Sequence, residues 1–414
     1  MKLSKELLEQ IIIKENIKTM FQPIVSVRRK EISGVEALSR GVNDDALIPP
    51  DLLFSSAEEF ELTEKIDNIC KKKAIQNFSS TFSNSKLLFL NIDVSGLDKG
   101  ALGISNTTLG ISSLIRYVKD TGIKHENIVI EILESKINNM EKLLEIILIL
   151  RNKGFLIAID DFGSGYSNFD RLSLIKPDIV KIDRSLVKDI DKNSYKQEIF
   201  KSITGLARKI GSIIVAEGIE TKEEAFKCIE LRADLLQGFY FAKPDEKISD
   251  KIQLLLNKTS AEFKNYLEYK LSFKKSITDI FLSTVFTIKD LLLFATDTDK
   301  ELFKILTLYP FIEAIYLLDF SGKQISDTVL SPNVKPKYKS KLFSPAKKND
   351  DHSLKQYYYK IKTGETEFHI TEPYISSATG NCCITISAFL NSKYIICIDT
   401  PADFESLESF ENVI

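Results

Sequence analysis

Short apolar runs alternate with stretches of helical periodicity through the first part of the chain. Each run is too short for an independent helix and has the length of a buried strand. Regular alternation of such strands with helices predicts a parallel sheet of the α/β class. The runs are residues 19–27, 31–38, 87–92, 128–133, 155–159, 179–182, 213–216 and 233–236.

Residues that mark helix ends occupy the places that this pattern requires. Gly154 follows the apolar-rich stretch 134–153, and Gly211 follows a helix face within residues 199–210, so both glycines are predicted C-caps. Thr221 and Glu224 have the spacing of a capping box that opens the next helix. The expected order is therefore strand, helix, strand across the whole region.

From Leu87 onward, six successive runs carry a polar residue in or just after their carboxyl-terminal half. A single polar residue at that place would mark only an ordinary strand end. Six in succession predict a closed or strongly twisted sheet, because the carboxyl ends of barrel strands build one common rim. These residues are Asn91, Glu131, Asp160 with Asp161, Lys181 with Asp183, Glu217 and Gln237.

The residue types at this rim favour one kind of chemistry. Carboxylate and amide oxygens without histidine or cysteine suit Mg²⁺ or Mn²⁺, and they suit zinc or copper poorly. The adjacent Asp160 and Asp161 repel each other, so they form either a solvated turn or half of a metal site. Lys181 lies inside an apolar run, and its burial requires a partner. A carboxylate pair that bridges two ions, together with such a lysine, suits the hydrolysis of a phosphate ester.

Composition limits the class of protein. The 414 residues exceed one ordinary core and predict two domains. Lys+Arg 56 against Asp+Glu 58 leaves no excess of positive charge for general nucleic-acid binding. The five cysteines are scattered and the three histidines lack ligand spacing, which argues against a disulfide scaffold and a zinc site. No apolar stretch reaches the length of a membrane span without charge, so we expect a soluble cytoplasmic protein.

Several motifs in a fixed order give the chain a resemblance to a known family. Residues 21–244 resemble an EAL domain, the cyclic di-GMP phosphodiesterase family named after the triplet present here as Glu36-Ala37-Leu38. A lone triplet would not be specific, whereas a dense series of motifs is. The motifs are FQPIV at 21–25, EALSR at 36–40, EILES at 131–135, DDFGSGYSN at 160–168, KPDIVKID at 176–183, AEGIET at 216–221 and QGFYF at 237–241.

The resemblance implies a TIM-type barrel with an antiparallel first strand, and hydrolysis of cyclic di-GMP to the linear dinucleotide pGpG. It implies that Lys181 aligns the attacking water and that Glu134 anchors the loop after Asp161. Two Mg²⁺ or Mn²⁺ ions are the implied cofactors, and we expect Ca²⁺ to inhibit. The implied catalytic residues are Lys181, Glu217, Asp161 and Glu134; the implied substrate-binding residues are Gln22, Glu36, Leu38, Arg40, Asp183 and Gln237; and the implied metal ligands are Glu36, Asn91, Glu131, Asp160, Asp161 and Glu217.

Three functions agree with this pattern. The first is an active cyclic di-GMP phosphodiesterase, which every polar position of the rim supports. The second is a catalytically silent receptor that binds cyclic di-GMP in the same pocket. A missing metal ligand would favour the receptor, and the sequence contains all the ligands that the resemblance implies. The third is a scaffold whose barrel only mediates association, and the sequence favours the first function over both others.

Beyond Pro244 the resemblance ends and the pattern changes. Apolar residues recur at helical intervals within residues 249–300, which predicts a helical linker after a barrel domain of residues 1–248. The order of elements in residues 301–414 is similar to that of a smaller α+β sensor of the PAS or Cache type. We expect this domain to respond to a signal and to regulate the barrel without supplying a catalytic residue. We also expect a homodimer, because the linker has more apolar face than one barrel edge needs.

Overall fold

The chain divides into two units, Met1–Leu267 and Glu268–Ile414, and the boundary falls inside one long helix. The structure is a computed structural model. It describes residues 2–44, 46–82, 85–92, 106–133, 139–165, 169–295, 297–336, 343–363 and 367–402. The predicted domain bounds, 1–248, 249–300 and 301–414, stay a prediction.

Within the described residues, eight strands of the first unit close into a barrel, and a further short strand pairs with it on the outside. Four of the strands begin and end where the apolar runs predict, because polar residues border those runs on both sides. The strands are β1 (Ile17–Ser26), β2 (Glu31–Asn43), β3 (Ala46–Ile48, the outer strand), β4 (Leu87–Ile92), β5 (Ile128–Leu133), β6 (Leu156–Phe162), β7 (Ile179–Ile182), β8 (Ile213–Ala216) and β9 (Leu235–Gln237).

The barrel is parallel except at its first strand. Strands β2 and β4 to β9 pair in parallel, in chain order. Strand β1 is antiparallel to both of its neighbours, β2 and β9, and thereby closes the sheet. This arrangement confirms the predicted TIM-type barrel with an antiparallel first strand.

Helices connect the barrel strands, and three of the predicted helix ends are confirmed. Gly154 and Gly211 follow their helices with left-handed φ angles of 95° and 85°. Thr221 and Glu224 form the predicted capping box. The helices are α1 (Lys5–Lys14), α2 (Pro50–Glu59), α3 (Thr63–Thr81), α4 (Asn106–Thr121), α5 (Met140–Lys153), α6 (Phe169–Ile175), α7 (Arg184–Val187), α8 (Ser194–Ile210) and α9 (Lys222–Glu230).

An apolar layer fills the interior of the barrel below its carboxyl-terminal rim. Seven of the eight barrel strands contribute one apolar side chain to this layer. On β2 the residue at this level is Gly34, which lies directly opposite Ile24 of β1. A Cβ at Gly34 would lie 2.9 Å from a ring carbon of Phe89, so the glycine leaves the space that this ring fills. The layer consists of Ile24, Phe89, Val129, Ala158, Ile179, Val215 and Leu235, one from each of seven strands.

The second unit is a smaller α+β domain, as predicted. Its elements are α10 (Lys251–Leu293), which begins in the first unit, α11 (Thr298–Leu308), β10 (Ala314–Asp319), β11 (Val329–Leu330), α12 (Gln356–Lys362), β12 (Phe368–Ile370), β13 (Tyr374–Ile375), β14 (Cys382–Phe389) and β15 (Tyr394–Pro401). The sheet order is β11-β10-β15-β14-β12, and β13 pairs with β14. One face of this antiparallel sheet packs against α11 and the part of α10 from Ile277 to Ile288, and the other face packs against α12.

Strand β6 is longer than the sequence predicts. It continues past the predicted run 155–159 to Phe162, because Phe162 pairs with Ile182 of β7. Asp160 and Asp161 therefore belong to the end of a strand instead of a turn after it. None of the helices in the described part of the chain combines the length and the apolar character that a membrane span requires.

Candidate active site

A polar layer lies directly above the apolar interior layer, at the carboxyl-terminal rim of the parallel strands. On six of these strands, each polar residue follows its apolar neighbour by two positions, which keeps its side chain on the interior face. Strands β1 and β2 contribute Gln22 and Glu36, which lie opposite each other. The members of the polar layer are Gln22, Glu36, Asn91, Glu131, Asp160, Lys181, Glu217 and Gln237.

Lys181 lies among four carboxylates of this layer, and only 1% of its side chain is exposed. Its Nζ lies 2.7 Å from Glu217 Oε1, 3.0 Å from Asp160 Oδ1 and 3.4 Å from Glu36 Oε2. It also contacts Glu131 Oε1. These carboxylates are the partners that burial of a lysine requires. One ammonium group can balance only one of the four carboxylates when all of them are ionised.

Burial and crowding shift the protonation of this cluster. Burial, together with the charge of Glu36, raises the pKa of Glu131 well above its usual range, although Lys181 opposes the shift. Burial likewise raises the pKa of Glu217, against the attraction of Lys181. Burial alone would lower the pKa of Lys181, but the surrounding carboxylates outweigh it and hold that pKa well above its usual value. The lysine therefore stays charged, while the carboxyl groups need further positive charge to remain ionised together.

A β-bulge in β6 brings two adjacent aspartates to the same site. The β6–β7 register shifts between Ile159 and Phe162, and Asp161 adopts a left-handed φ of 57°. On a regular strand successive side chains face opposite sides, whereas a bulge re-aims one of them. One carboxylate oxygen from each of Asp160, Asp161 and Glu217 accordingly lies within 4.8 Å of the others. Burial, followed by the charge of Asp160, raises the pKa of Asp161 to about 6.

Two amide side chains hold the carboxylates in place. Asn91 Nδ2 donates to Glu36 Oε1 at 3.2 Å and to Glu131 Oε2 at 3.0 Å. Gln237 Nε2 donates to Glu36 Oε2 at 2.6 Å and to Gln22 Oε1 at 3.2 Å. Because Asn91 donates through its nitrogen, its carbonyl oxygen is the atom that remains able to bind a cation.

Besides Asp161, four predicted site residues are not part of the polar layer. Leu38 and Arg40 lie further along β2 and are partly buried, and the Arg40 guanidinium donates to the Ser39 carbonyl at 2.9 Å. Asp183 follows β7 and caps the first turn of α7. Glu134 lies outside the described residues. The roles implied for these four residues stay predictions.

The donor set of the polar layer fits hard divalent cations. Glu131 Oε1 and Asp160 Oδ1 are buried and, within the described residues, accept no hydrogen bond, although Lys181 lies beside both. Buried carboxylates are costly unless enough positive charge lies against them, and one ammonium group cannot balance four of them. All the available ligand atoms are oxygens, which favours Mg²⁺ or Mn²⁺ over softer metals.

The same part of the chain matches a protein family. A family model described as "EAL domain" matches residues 4–244, which contain the whole polar layer. The chain belongs to the EAL domain family. The match ends before the second unit begins at Glu268.

Relatives and solved structures of EAL domain proteins extend the comparison. PdeG of Escherichia coli K12, named a probable cyclic di-GMP phosphodiesterase, is 30% identical over 262 residues, covering 61% of this chain and 49% of that protein. The crystal structure of Bacillus subtilis YkuI with substrate c-di-GMP and calcium has a TM-score of 0.77 at 24% identity and covers 95% of this chain and 98% of YkuI. That likeness shows the fold of both units. A Klebsiella pneumoniae BlrP1 complex with manganese and cyclic di-GMP covers 56% of this chain and 57% of BlrP1, with a TM-score of 0.50 and 28% identity. The chain thus spans about half the length of PdeG.

One buried carboxylate of the EAL domain has a role that the sequence did not predict in full. Glu224 forms the predicted capping box with Thr221, and its other oxygen accepts the backbone N–H of Asp189, which is 35 residues away in the chain. The capping box has a local sequence pattern. No local pattern marks a bond between two separate loops, so this contact could be found only in the structure.

Proposed function

We propose that this EAL domain hydrolyses one phosphodiester bond of cyclic di-GMP, giving pGpG, with two bound Mg²⁺ or Mn²⁺ ions. The observation that carries the proposal is a buried lysine among four carboxylates at the carboxyl-terminal rim of the barrel. Catalytic residues of TIM-type barrels come from this rim. The names of the relatives support the same substrate.

The proposed metal ligands are the oxygen donors of the polar layer together with Asp161. When bound, the two ions would stabilise negative charge on the attacking and leaving oxygens of the phosphate. The side-chain amides of Asn91 and Gln237 both donate to Glu36, and Asn91 also donates to Glu131, so they keep these two carboxylates oriented. One ion would be held by Glu36, Asn91, Glu131 and Asp160, and the other by Asp160, Asp161 and Glu217.

The remaining residues of the site would bind the substrate and orient the attacking water. Lys181 is charged and is buried among its carboxylate partners, so it would align the water and offset charge that develops on the phosphate. Arg40 suits a phosphate oxygen, because its guanidinium presents several fixed donors. Gln22, Leu38, Asp183 and Gln237 would contact other parts of the dinucleotide, and Glu134 would anchor the loop after Asp161.

An assay of the purified protein tests this proposal directly. Cyclic di-GMP is incubated with the protein and Mg²⁺, Mn²⁺ or a chelator, and the products are separated by chromatography. We expect pGpG in the presence of either metal and none with the chelator, and we expect Glu131→Gln to lose turnover. Absence of cleavage with every divalent metal would overturn the proposal, and saturable binding in that case would identify a receptor.

We further propose that the second unit is a PAS- or Cache-like domain that regulates hydrolysis. In the proposed site, every residue lies before Pro244, whereas the second unit contributes a sheet covered by helices on both faces. The first unit includes the start of α10, where Phe263 packs edge-to-face against Phe226 and Tyr266 donates to Glu230 of α9. A chain that ends at Leu267 therefore keeps these contacts, and we expect it to hydrolyse cyclic di-GMP at an altered rate.

A comparison of the full chain with the chain that ends at Leu267 also tests the expected homodimer. Leu271, Phe286 and Leu293 of α10 are more than half exposed, and a second copy of the chain would cover such side chains. Sedimentation of the full chain should give a dimer, and the chain ending at Leu267 should give a monomer. A folded but inactive short chain would show that part of the active site lies beyond Leu267.

A further inference from the structure

Glu224 is a buried carboxylate that accepts hydrogen bonds from three backbone N–H groups. Its Oε2 accepts from Glu220 at 2.9 Å and from Thr221 at 3.1 Å, and its Oε1 accepts from Asp189 at 2.9 Å. Only 4% of the residue is exposed. Hydrogen bonds to an ionised acceptor are stronger than bonds between neutral groups, and a buried donor left without its acceptor is costly. Glu224 therefore fixes both backbone segments.

These two segments carry neighbouring parts of the rim. Glu220 and Thr221 end the loop that starts with Glu217, directly after β8. Asp189 follows α7, the short helix that begins after Asp183. One carboxylate thus joins the loop after β8 to the segment after β7.

The same segments are in direct contact at a second place. Gly218 adopts a left-handed φ of 66°, and a Cβ there would lie 2.4 Å from Arg184 Cγ of α7. The Arg184 guanidinium also forms an ion pair with Glu220, at 2.7 Å. The loop after β8 therefore has no room to shift relative to α7 without losing these contacts.

Helix α7 in turn lies against the loop that follows the two aspartates. Gly163 adopts a left-handed φ of 102°, and a Cβ there would lie 2.4 Å from Leu186 Cδ1 of α7. Gly163 follows Asp161 by two residues. Helix α7 is consequently placed between the end of β6, which carries Asp160 and Asp161, and the loop with Glu217. One oxygen from each of these three carboxylates lies within 4.8 Å of the others.

We propose that Glu224 is a positioning residue that sets the distance between Glu217 and the pair Asp160–Asp161. This inference rests on the proposed function, since it concerns the same metal site. Glu224 binds no metal itself; it holds the loop after β8 against α7. Groups that orient metal ligands in this way commonly change metal affinity by about 10–100-fold when they are replaced.

Glutamine at position 224 keeps the size of the side chain and removes one of its two acceptor oxygens. The amide has one oxygen, so it can accept from Glu220 and Thr221 or from Asp189, and its NH₂ group then faces the other donor. Asp234→Asn is the matched control, because Asp234 Oδ2 accepts the backbone N–H of Ile214 at 3.0 Å, at the opposite end of β8. Both variants weaken one carboxylate–backbone contact on the full chain, and only Glu224→Gln does so beside the proposed metal ligands.

Calorimetric titration of Mn²⁺ into the two variants and into the unaltered chain measures the affinity for the metal independently of turnover. We expect the Mn²⁺ dissociation constant to rise about 10-fold or more in Glu224→Gln and less than twofold in Asp234→Asn. Urea unfolding shows whether the two variants lose similar stability. In the hydrolysis assay, Glu224→Gln should lose turnover that excess Mn²⁺ partly restores.

A folded Glu224→Gln protein with unchanged Mn²⁺ affinity would overturn the inference, as would an equal loss of affinity in Asp234→Asn. If Glu224→Gln does not fold, Glu224→Asp makes the same test, because the shorter side chain cannot reach both segments, and unchanged affinity there would likewise overturn it. Failure of the proposed function is a separate result. An unaltered chain that binds Mn²⁺ and cleaves no cyclic di-GMP refutes the phosphodiesterase, whereas the Mn²⁺ titrations alone decide the role of Glu224.

Discussion

Methionine at position 181 would remove an ammonium group from among four buried carboxylates while it keeps most of the side-chain volume. Lys181 Nζ lies at 2.7, 3.0 and 3.4 Å from three of them and contacts the fourth. In the metal-free protein the carboxylates would then lie beside one another with no charge between them. We expect this variant to lose stability, and to lose it in a manner that depends on pH.

The magnitude follows from the distances. At about 3 Å and an effective dielectric constant of about 20, one ion contact is worth roughly 5 kcal/mol before desolvation. Several such contacts together exceed the stability of a typical domain, which is about 5–15 kcal/mol. The carboxyl groups would therefore bind protons before the barrel unfolded. We expect a net loss near pH 8 of about 3–5 kcal/mol, the range found when one partner of a buried ion pair is removed.

The dependence on pH has a definite sign. Burial raises the pKa of Glu131 and of Glu217, and Lys181 lowers both, so its removal raises them further. A carboxyl group with a raised folded pKa contributes stability below its unfolded pKa and loses that contribution as the pH rises through the folded pKa. The loss of stability in Lys181→Met should therefore be small near pH 5 and grow toward pH 8.

Urea unfolding in the presence of a chelator, at several pH values, measures this loss. Lys71→Met is a matched control, because Lys71 is 6% exposed in its side chain and forms an ion pair with Asp67 on α3, outside the barrel. In Mn²⁺, where metal binding stabilises the fold, Lys181→Met should lose about 10²–10⁴-fold in kcat with little change in KM. A variant with unaltered turnover, or with the same loss of stability at pH 5 and pH 8, would refute the reasoning.

Backbone, proton and metal perturbations have their own expected outcomes. Alanine at Gly238 should destabilise the barrel by about 3 kcal/mol or more in thermal unfolding, because its Cβ would lie 2.1 Å from the carbonyl oxygen of Ile219. Burial raises the pKa of Asp399 to about 7, so stability should fall by about 4 kcal/mol between about pH 4 and pH 7, and Asp399→Asn should abolish that fall in urea unfolding. Replacement of Mn²⁺ by Ca²⁺ should stop hydrolysis without preventing binding of cyclic di-GMP, because Ca²⁺ prefers longer bonds and more ligands.

Each of these outcomes has a control. Gly205 lies in α8, and among the described residues no atom beyond its own helix backbone comes within 4 Å of the place that an alanine methyl group would take. Gly205→Ala should therefore stabilise the protein by about 0.5–1 kcal/mol. An equal loss of stability in Gly205→Ala and in Gly238→Ala would contradict the steric argument. If the free energy of unfolding depended on pH in the same way in Asp399→Asn and in the unaltered chain, the assignment of this pH dependence to Asp399 would be wrong. Comparable turnover in Ca²⁺ and Mn²⁺ would contradict the two-metal site.

The regular parts of the barrel could be predicted because their physical causes are local. The bounds of β4, β5, β7 and β8 equal the predicted runs, since each of these strands is mostly apolar and is bordered by polar residues at both ends. The period of two along a strand likewise predicts that Lys181 shares the barrel interior with Ile179. The convergence of the polar layer then follows from closure of the sheet.

The irregular parts of the site could not be predicted, because their causes lie in distant segments. A regular strand would direct Asp161 away from Asp160, and only the bulge opposite β7 returns both to one side. The left-handed backbone at Asp161 has no marker in the sequence, since it is not a glycine. The bond from Glu224 to Asp189 depends in the same way on how two loops meet.

The two units respond to pH through different carboxyl groups, and metal should separate them. Glu131 and Glu217 in the first unit and Asp399 in the second all have raised pKa values, so each unit loses stability as the pH rises. Bound Mn²⁺ would stabilise the ionised carboxylates of the first unit. It would leave the pKa of Asp399 unchanged, because Asp399 belongs to the second unit and all the proposed metal ligands belong to the first. A pH dependence that persists in saturating Mn²⁺ should therefore come mainly from the second unit, and it should be smaller in Asp399→Asn, where the raised pKa of Glu313 still contributes.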